Sequence, residues 1–345
     1  MEVNVVVDVF LSLALRLMVN LESLNGVETV GNLVRHRTAP MAVPSGNGTY
    51  SIRFVPTISG EALAHAYQVN LVEEARKAGL PITEESERGE FIKFADGKFL
   101  EKYGINAPGS EDEIRRTEVE VMLRDYVCDV GGFLYAGNYP VKRTSTFHVG
   151  YMVPAVFDVE AAALEAQFHM RFSPSCMNLQ QPYNVEVGSA IYTFTFNMDV
   201  SQIARPSTGF GKRDEKLEKH LESEREKRVI AALSALSTLL TQLNFGAKRS
   251  RFLPNMEPLS AVAAVSKDTL FVVSPGNSRN FIKESLSRMK SYVELMNGLR
   301  GDGGVEVSMF AMDKEGAAEE VEGVDVTRTL EEFMKHIVKK VRELK

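Results

Sequence analysis

Residues 1–21, MEVNVVVDVFLSLALRLMVNL, put an apolar side chain at every odd position from Met1 to Leu21, while the even positions include Glu2, Asn4, Asp8, Ser12, Arg16 and Asn20. Successive side chains of a strand point to opposite faces. A period of two over this length therefore predicts a long strand, or two strands joined by a bulge, with one face buried. The run does not read as a secretory signal or a bilayer span. Glu2, Asp8 and Arg16 interrupt it, no basic segment precedes it, and no uncharged stretch nears the roughly 18 residues a span needs.

Further along, Tyr50, Ile52 and Phe54 alternate with Ser51 and Arg53 before Pro56 ends a strand. A helix should follow, capped by Ser59, spaced by Leu63, Ala66, Tyr67 and Leu71, and stopped by Gly79 and Pro81. Residues 80–130 mix charge with short apolar clusters and read as an inserted, partly helical subdomain. From Gly131 the sequence turns β-rich, at 144–157, 165–172 and 185–199. Residues 212–228 are almost all charged, a solvated face or a helical arm standing off the body, and lead into an apolar stripe at Val229, Leu233, Leu236, Leu240 and Leu243. The remainder reads as strand 259–273 with a turn at Lys267-Asp268, helix 278–297, strand 304–311 and helix 328–344, the last opened by a Thr329/Glu332 capping box. Past the insertion the order is strand, helix, strand, strand, helix, strand. This predicts an α+β protein with a ferredoxin-like or RRM-like antiparallel sheet core. Residues 1–79 and 131–273 would form the core, 80–130 the insertion and 274–345 a C-terminal α/β extension.

The 345 residues carry 40 Lys and Arg against 46 Asp and Glu, a formal net charge of −6, which argues against a uniformly basic surface. Composition is that of a globular chain, not a disordered or fibrous one. Two cysteines, Cys128 and Cys176, are too few for a disulfide scaffold or a four-thiolate zinc site; they read as packing residues in a reducing cytoplasm. No phosphate loop, dinucleotide fingerprint, HExxH, paired CxxC or GxSxG is present. The six histidines are scattered, with His65, His220 and His336 on predicted helices beside polar residues, so neither a catalytic residue, a metal nor another cofactor is expected.

Basic residues are nonetheless clustered. Arg35-His36-Arg37 follows Asn32, Lys142-Arg143 leads into Thr144-Ser145, His169 and Arg171 share one strand face at i and i+2, and Lys248-Arg249 with Arg251 follows a helix end. Local cations in an acidic chain suit a groove for a phosphate backbone, with Asn20, Asn25, Asn32, Thr144 and Ser145 as neutral hydrogen-bonding residues. Phe133, Tyr135, Tyr139 and Phe210 are candidate stacking residues, or else ordinary loop anchors.

The segments NLESLN (20–25), Gly31-Asn32, His36-Arg37 and ISGEALAH (58–65), then RTSTFHVGYMVP (143–154), FHMRF (168–172) and YNVEVGSAIY (183–192), resemble in order the DevR family of CRISPR-associated proteins. The resemblance implies an RRM-like palm with inserted lobes. It also implies head-to-tail stacking of copies along a CRISPR RNA in an archaeal type I-A Cascade, with other Cascade subunits as partners and target DNA engaged through the guide. No membrane is involved. Carried onto this chain, the resemblance implies an RNA groove of Asn20, Asn32, His36 and Arg37 with Ser145, His169 and Arg171, to which the basic clusters add Arg35, Lys142, Arg143, Lys248, Arg249 and Arg251. Its β-hairpin thumb falls either at 131–145 or at 203–213. The RRM aromatic signature is absent, so RNA should follow a groove and not lie across the sheet. Two alternatives remain, a metal-independent RNA endonuclease using His36 or His169, and a DNA-binding regulator.

Overall fold

The computed structural model describes residues 8–172, 180–246, 248–300, 304–318 and 323–344. Cys176 and the first seven residues of the period-two run lie outside them. In chain order, strand β1 (Val9–Glu22) is followed by β2 (Gly26–Val30), β3 (Leu33–His36), β4 (Thr38–Ser45) and β5 (Thr49–Pro56). Helices α1 (Gly60–Ala78), α2 (Glu84–Glu87), α3 (Gly97–Lys102), α4 (Ile114–Arg124) and α5 (Tyr126–Gly131) come next. Short strands β6 (Phe133–Tyr135), β7 (Val141–Arg143), β8 (Phe147–Val149) and β9 (Val153–Pro154) lead to the long pair β10 (Ala163–Phe172) and β11 (Gln180–Asp199). The chain ends with α6 (Glu215–Ser223), α7 (Arg225–Gln242), β12 (Asn255–Lys267), α8 (Phe281–Arg300), β13 (Glu306–Asp313), β14 (Asp325–Thr327) and α9 (Leu330–Glu343).

One large mixed sheet runs β14-β13-β12-β1-β11-β3-β2, and β8, β9 and β10 also pair with β11. β1 is antiparallel to both β11 and β12, β10 is antiparallel to β11, and β3 joins β11 in parallel. The odd residues Leu11, Leu13, Leu15, Leu17 and Val19 enter the main core with Leu63, Tyr67 and Leu71 of α1 and Leu233, Leu236 and Leu240 of α7. Ser59 caps α1 as expected, its Oγ accepting from the Ala62 N–H, and Gly79 ends it at a φ of 62°. The Thr329 hydroxyl likewise accepts from the Glu332 N–H.

The single buried face expected of β1 is corrected by its even residues. Phe10, Ser12, Ala14 and Arg16 are buried too, because the segment after β12 and helix α8 cover the second face with Phe271, Val273, Phe281 and Ile282. The polar even residues are satisfied there. Ser12 Oγ accepts from the Val273 N–H at 3.1 Å. Arg16, with no exposed side-chain surface, donates to Glu315 and Asp158 at 2.8 Å and to the Gly276 carbonyl at 2.9 Å. Burial alone would raise the Glu315 pKa, but hydrogen bonds from Arg16 and Ser260 outweigh it and hold it below the usual carboxylate value.

The charged stretch 212–228 is neither a free arm nor a wholly solvated face. Glu218 is buried against Arg115 of α4 at 2.6 Å. Arg228 is fully buried, 2.9 Å from Asp129, whose other oxygen lies 2.6 Å from Arg143. Asp129 also accepts from the Ala204 N–H. Cys128 is buried and unpaired, and burial pushes its thiol pKa well up, as an inert packing residue requires. Among the described residues no helix is long and apolar enough to cross a membrane.

Replacing Asp129 by Ala takes a carboxylate from two buried guanidinium groups, leaving Arg143 with Glu118 and Arg228 with Glu224. Such a change is expected to cost about 3–5 kcal/mol in chemical denaturation. A loss below about 1 kcal/mol, the scale of an exposed pair, would show that water reaches this cluster.

Candidate nucleic-acid interface

The local fold gathers four of the residues expected to bind. β1 leaves its neighbour at Leu21, which adopts a φ of 56° at a register shift. β3 takes its place beside β11, where the Asn184 N–H donates to the Asn32 carbonyl at 2.7 Å. The resulting cleft, about 690 Å³, is lined by Asn32 from the β2–β3 turn, Arg171 from β10, Tyr183 from β11, and Lys248, Arg251 and Phe252 from the segment before β12. His169 stacks on Tyr183 with ring centres 5.3 Å apart and meets the edge of Phe252 at 5.5 Å. Arg251 donates to the Tyr183 hydroxyl at 3.1 Å. Burial and the neighbouring Arg251 charge hold the Lys248 pKa below its ordinary value.

His36 sits behind this cleft and is not on its surface. Its ring is fully buried, with Nε2 2.6 Å from Glu22 Oε1 and Nδ1 2.7 Å from the Arg37 carbonyl. Tyr192 donates to the same Glu22 carboxylate at 2.9 Å and the Leu24 N–H at 2.7 Å. An ideal Cβ at Gly188 would stand 2.6 Å from Glu22 Oε1, so only glycine leaves room for this carboxylate. Desolvation opposes charge on His36, yet the bond to Glu22 and its charge prevail, and the pKa is raised.

A second cleft of about 510 Å³ lies at the start of α1, lined by Gly60, Glu61, Gln68, Lys93, Ser145 and His148. Lys93 donates to the Gly131 carbonyl at 2.9 Å, and burial lowers its pKa. Backbone contacts link the two clefts. Gly246, beside the 248–252 segment, is pressed against Leu24. The Asn25 carbonyl accepts from the Arg37 N–H, the Arg37 carbonyl from the Thr57 N–H, and the Asn25 side chain from the Ser59 N–H next to Gly60. Along this strip Arg37 Nε, Thr57 Oγ1, Gln68 Oε1, His169 Nε2, Lys248 Nζ and Arg249 Nε are buried with no hydrogen-bond partner among the described residues. His36 Nε2 and His336 Nδ1 also lack an aligned hydrogen bond, but each faces a carboxylate, at 2.6 and 2.7 Å.

The other expected residues fall elsewhere. Arg143 is withdrawn from the groove. It is 2% exposed, and Asp129, Glu118 and the carbonyls of Asp129, Gln202 and Arg205 take up its guanidinium. Lys142 is exposed on β7 opposite Leu134. Arg35 is exposed and 3.4 Å from Glu28, and Asn20 is half-buried opposite Asn255. Phe133 is a core residue, not a stacking one, while Phe210 is exposed. Neither expected thumb stands free. Residues 131–145 form the three-residue β6–β7 pair, whose Phe133 and Val141 pack with Phe94 and Leu100; 203–213 is tied down through Ser207 and Thr208 to Glu118 and through the Lys212 N–H to the Asp112 carbonyl. Exposed apolar side chains lie instead on β5 (Tyr50, Ile52, Phe54) and β10 (Phe168, Met170). Sequence reading missed Gln68, Lys93, Tyr183 and Phe252 as lining residues. Gln68, a polar side chain on the buried face of α1, was the one visible signal.

The fold is a mixed-sheet α+β architecture that carries, along one strip, cations with no anionic partner among the described residues. The model of the family described as CRISPR-associated negative auto-regulator DevR/Csa2 matches residues 13–286. The chain is 47% identical over 323 residues, 93% of its length and 97% of the relative's, to the Saccharolobus solfataricus protein named CRISPR-associated aCascade subunit Cas7/Csa2 2. It is 35% identical over 306 residues, 86% of its length and 91% of the relative's, to the same organism's CRISPR-associated protein Cas7/Csa2 1. A chain of a solved complex titled CRISPR RNA-guided surveillance complex, pre-nicking, shares the fold at 8% identity with a TM-score of 0.50, over 96% of this chain and 99% of that one. The chain belongs to the DevR/Csa2 family.

Because the folded pKa of His36 is raised, the stability it contributes is complete below the unfolded value of about 6.5 and is lost as pH rises through the folded value. The melting-temperature gap between the wild type and His36→Gln should therefore narrow from about pH 6 to about pH 9. A gap that widens with pH would refute the buried ion pair.

Proposed function

We propose that this chain is a non-catalytic backbone subunit of a type I Cascade surveillance complex. It grips CRISPR RNA in the strip described above and polymerises head to tail along the spacer. It works in the cytoplasm beside other Cascade subunits and meets target DNA through the guide. The observation that carries this reading is the row of buried polar atoms without partners. Leaving a buried polar group unmet costs about 1–3 kcal/mol, so a row of them on one strip, most of them donors, is expected where a ligand supplies the missing partners. Cations with backbone and hydroxyl donors suit a phosphate chain, and the half-buried aromatics Tyr183 and Phe252 offer faces to bases. The names of the relatives, an aCascade subunit among them, support the same assignment.

The RRM-like core belongs to this proposal. The order β12-β1-β11-β10, with α1 and α7 together on one face, supports a split βαβ arrangement. A separate apolar cluster around Phe94, Leu100 and Ile105 supports treating 80–130 as an insertion, and the cluster of Phe281 and Ile282 with Phe271 supports an extension from 274. Cleavage by His36 finds no support, since the ring is sealed against Glu22.

Binding of spacer-length single-stranded RNA should weaken steeply with salt. Lys248→Ala and Arg251→Ala should each reduce the slope of log affinity against log salt by about 0.7, the value for one phosphate contact on a single strand. His169→Ala should weaken binding without lowering the melting temperature much. An unchanged slope in both lysine and arginine variants would sink the proposal, and cleavage of the RNA would sink its non-catalytic part.

A further inference from the structure

The strip's least expected feature is a buried histidine directly behind one of its arginines. Arg37 carries an unpartnered Nε, and its own peptide is held on both sides. Its N–H donates to the Asn25 carbonyl at 2.9 Å, and its carbonyl accepts from the Thr57 N–H at 3.0 Å and from His36 Nδ1 at 2.7 Å. The His36 ring therefore faces an acceptor oxygen at each nitrogen, the Arg37 carbonyl at one and Glu22 at the other. Both contacts attract only while the ring and carboxylate hold a proton between them in addition to the one on Nδ1.

Resting on the RNA reading above, we propose that His36 is a positioning residue for Arg37, and that the proton shared by His36 and Glu22 makes the groove hold RNA more tightly at mildly acidic than at mildly alkaline pH. When that proton leaves, one of two things follows. The remaining proton stays on Nδ1, and the Nε2 lone pair faces the carboxylate at 2.6 Å, so the ring must swing away. Or it moves to Nε2, and the bond to the Arg37 carbonyl is lost. Either change loosens the peptide that carries Arg37. The carboxylate has little freedom to retreat, because Tyr192 and the Leu24 N–H both hold it.

The groups facing the ring come from three elements. β1 supplies Glu22, β11 supplies Tyr192 and Glu186, and the β3 end supplies Arg37 itself. Glu186 accepts from the His36 N–H at 2.7 Å, and its charge adds to that of Glu22 in favouring the protonated pair. Ring burial keeps solvent from replacing either bond, so the effect of the lost proton reaches Arg37 and is not absorbed by water.

The test is the affinity of full-length protein for a labelled, spacer-length single-stranded RNA of mixed sequence, measured at constant ionic strength between about pH 5.5 and about pH 8.5. Wild-type affinity is expected to fall about tenfold across this range, the scale of one charge-assisted hydrogen bond. His36→Gln should bind at low pH as weakly as the wild type at high pH, with no pH slope. Glu22→Gln, whose amide can donate to a neutral ring, should keep the tight affinity and lose the slope. His169→Ala should bind more weakly but keep the slope, which separates the two histidines. A flat wild-type profile, a slope that survives His36→Gln, or one that disappears with His169→Ala overturns the proposal. If melting curves show His36→Gln unfolded, the Glu22→Gln and His169→Ala profiles decide it. Absence of RNA binding at every pH overturns the reading of the groove itself, whereas binding without a slope overturns only the role of His36.

Discussion

A charge removed from water must be paired, and this constraint organises the molecule. Among the described residues, buried carboxylates hold elements far apart in sequence. Glu315 and Asp158 meet Arg16 at the centre of β1, Asp129 meets Arg143 and Arg228, and Glu22 meets His36. The first ties β1 to the C-terminal segment, the second ties α5 to β7 and α7, and the third ties the end of β1 to the end of β3. Apolar packing would hold these pieces with more tolerance of sliding. Buried, directional ion pairs leave one register, because any shift strands a charge.

The same constraint separates cations that build the fold from cations whose polar atoms are unmatched among the described residues. Arg16, Arg143 and Arg228 are buried and fully matched by acidic side chains and carbonyls. Lys248, Arg249 and Arg37 are partly buried and have atoms with no match among the described residues. The net charge of −6 conceals this division, since a formal sum counts a cation neutralised inside the core the same as one facing a cleft. An acidic sum is thus compatible with the proposed RNA groove, because some of the acidic residues are occupied by structural arginines.

Much of the framework was legible in the residues. The period of two over β1, the Ser59 and Thr329 caps and the i, i+3, i+4 stripes of α1, α7 and α9 are local signals, and local signals do not depend on what packs above them. What covers the second face of β1 is not local. Ser12 and Arg16 looked like solvent positions because polar residues in an alternating strand usually are, and nothing near them announces a partner some 260 to 300 residues away. The site shows the same limit. Arg143 and Lys142 read as one basic pair, yet adjacent strand residues point to opposite faces, and one entered the core while the other stayed in solvent. Clustering of cations in sequence said where charge is dense; only the fold says which charges are already taken.

His36 marks the boundary between these two populations. It is buried and paired like the structural arginines, yet it touches the peptide of a residue whose side chain is not paired. A lysine or arginine in its place would satisfy Glu22 at every physiological pH and would not respond to the surroundings, since their charge is permanent there. Histidine alone makes the same contact conditional on a proton within the range cells visit. A fold that needed only to bury Glu22 had other cations available, and it is this imidazole, with both nitrogens facing acceptors and one of those acceptors belonging to the strip, on which the proposed coupling between the groove and its supporting layer rests.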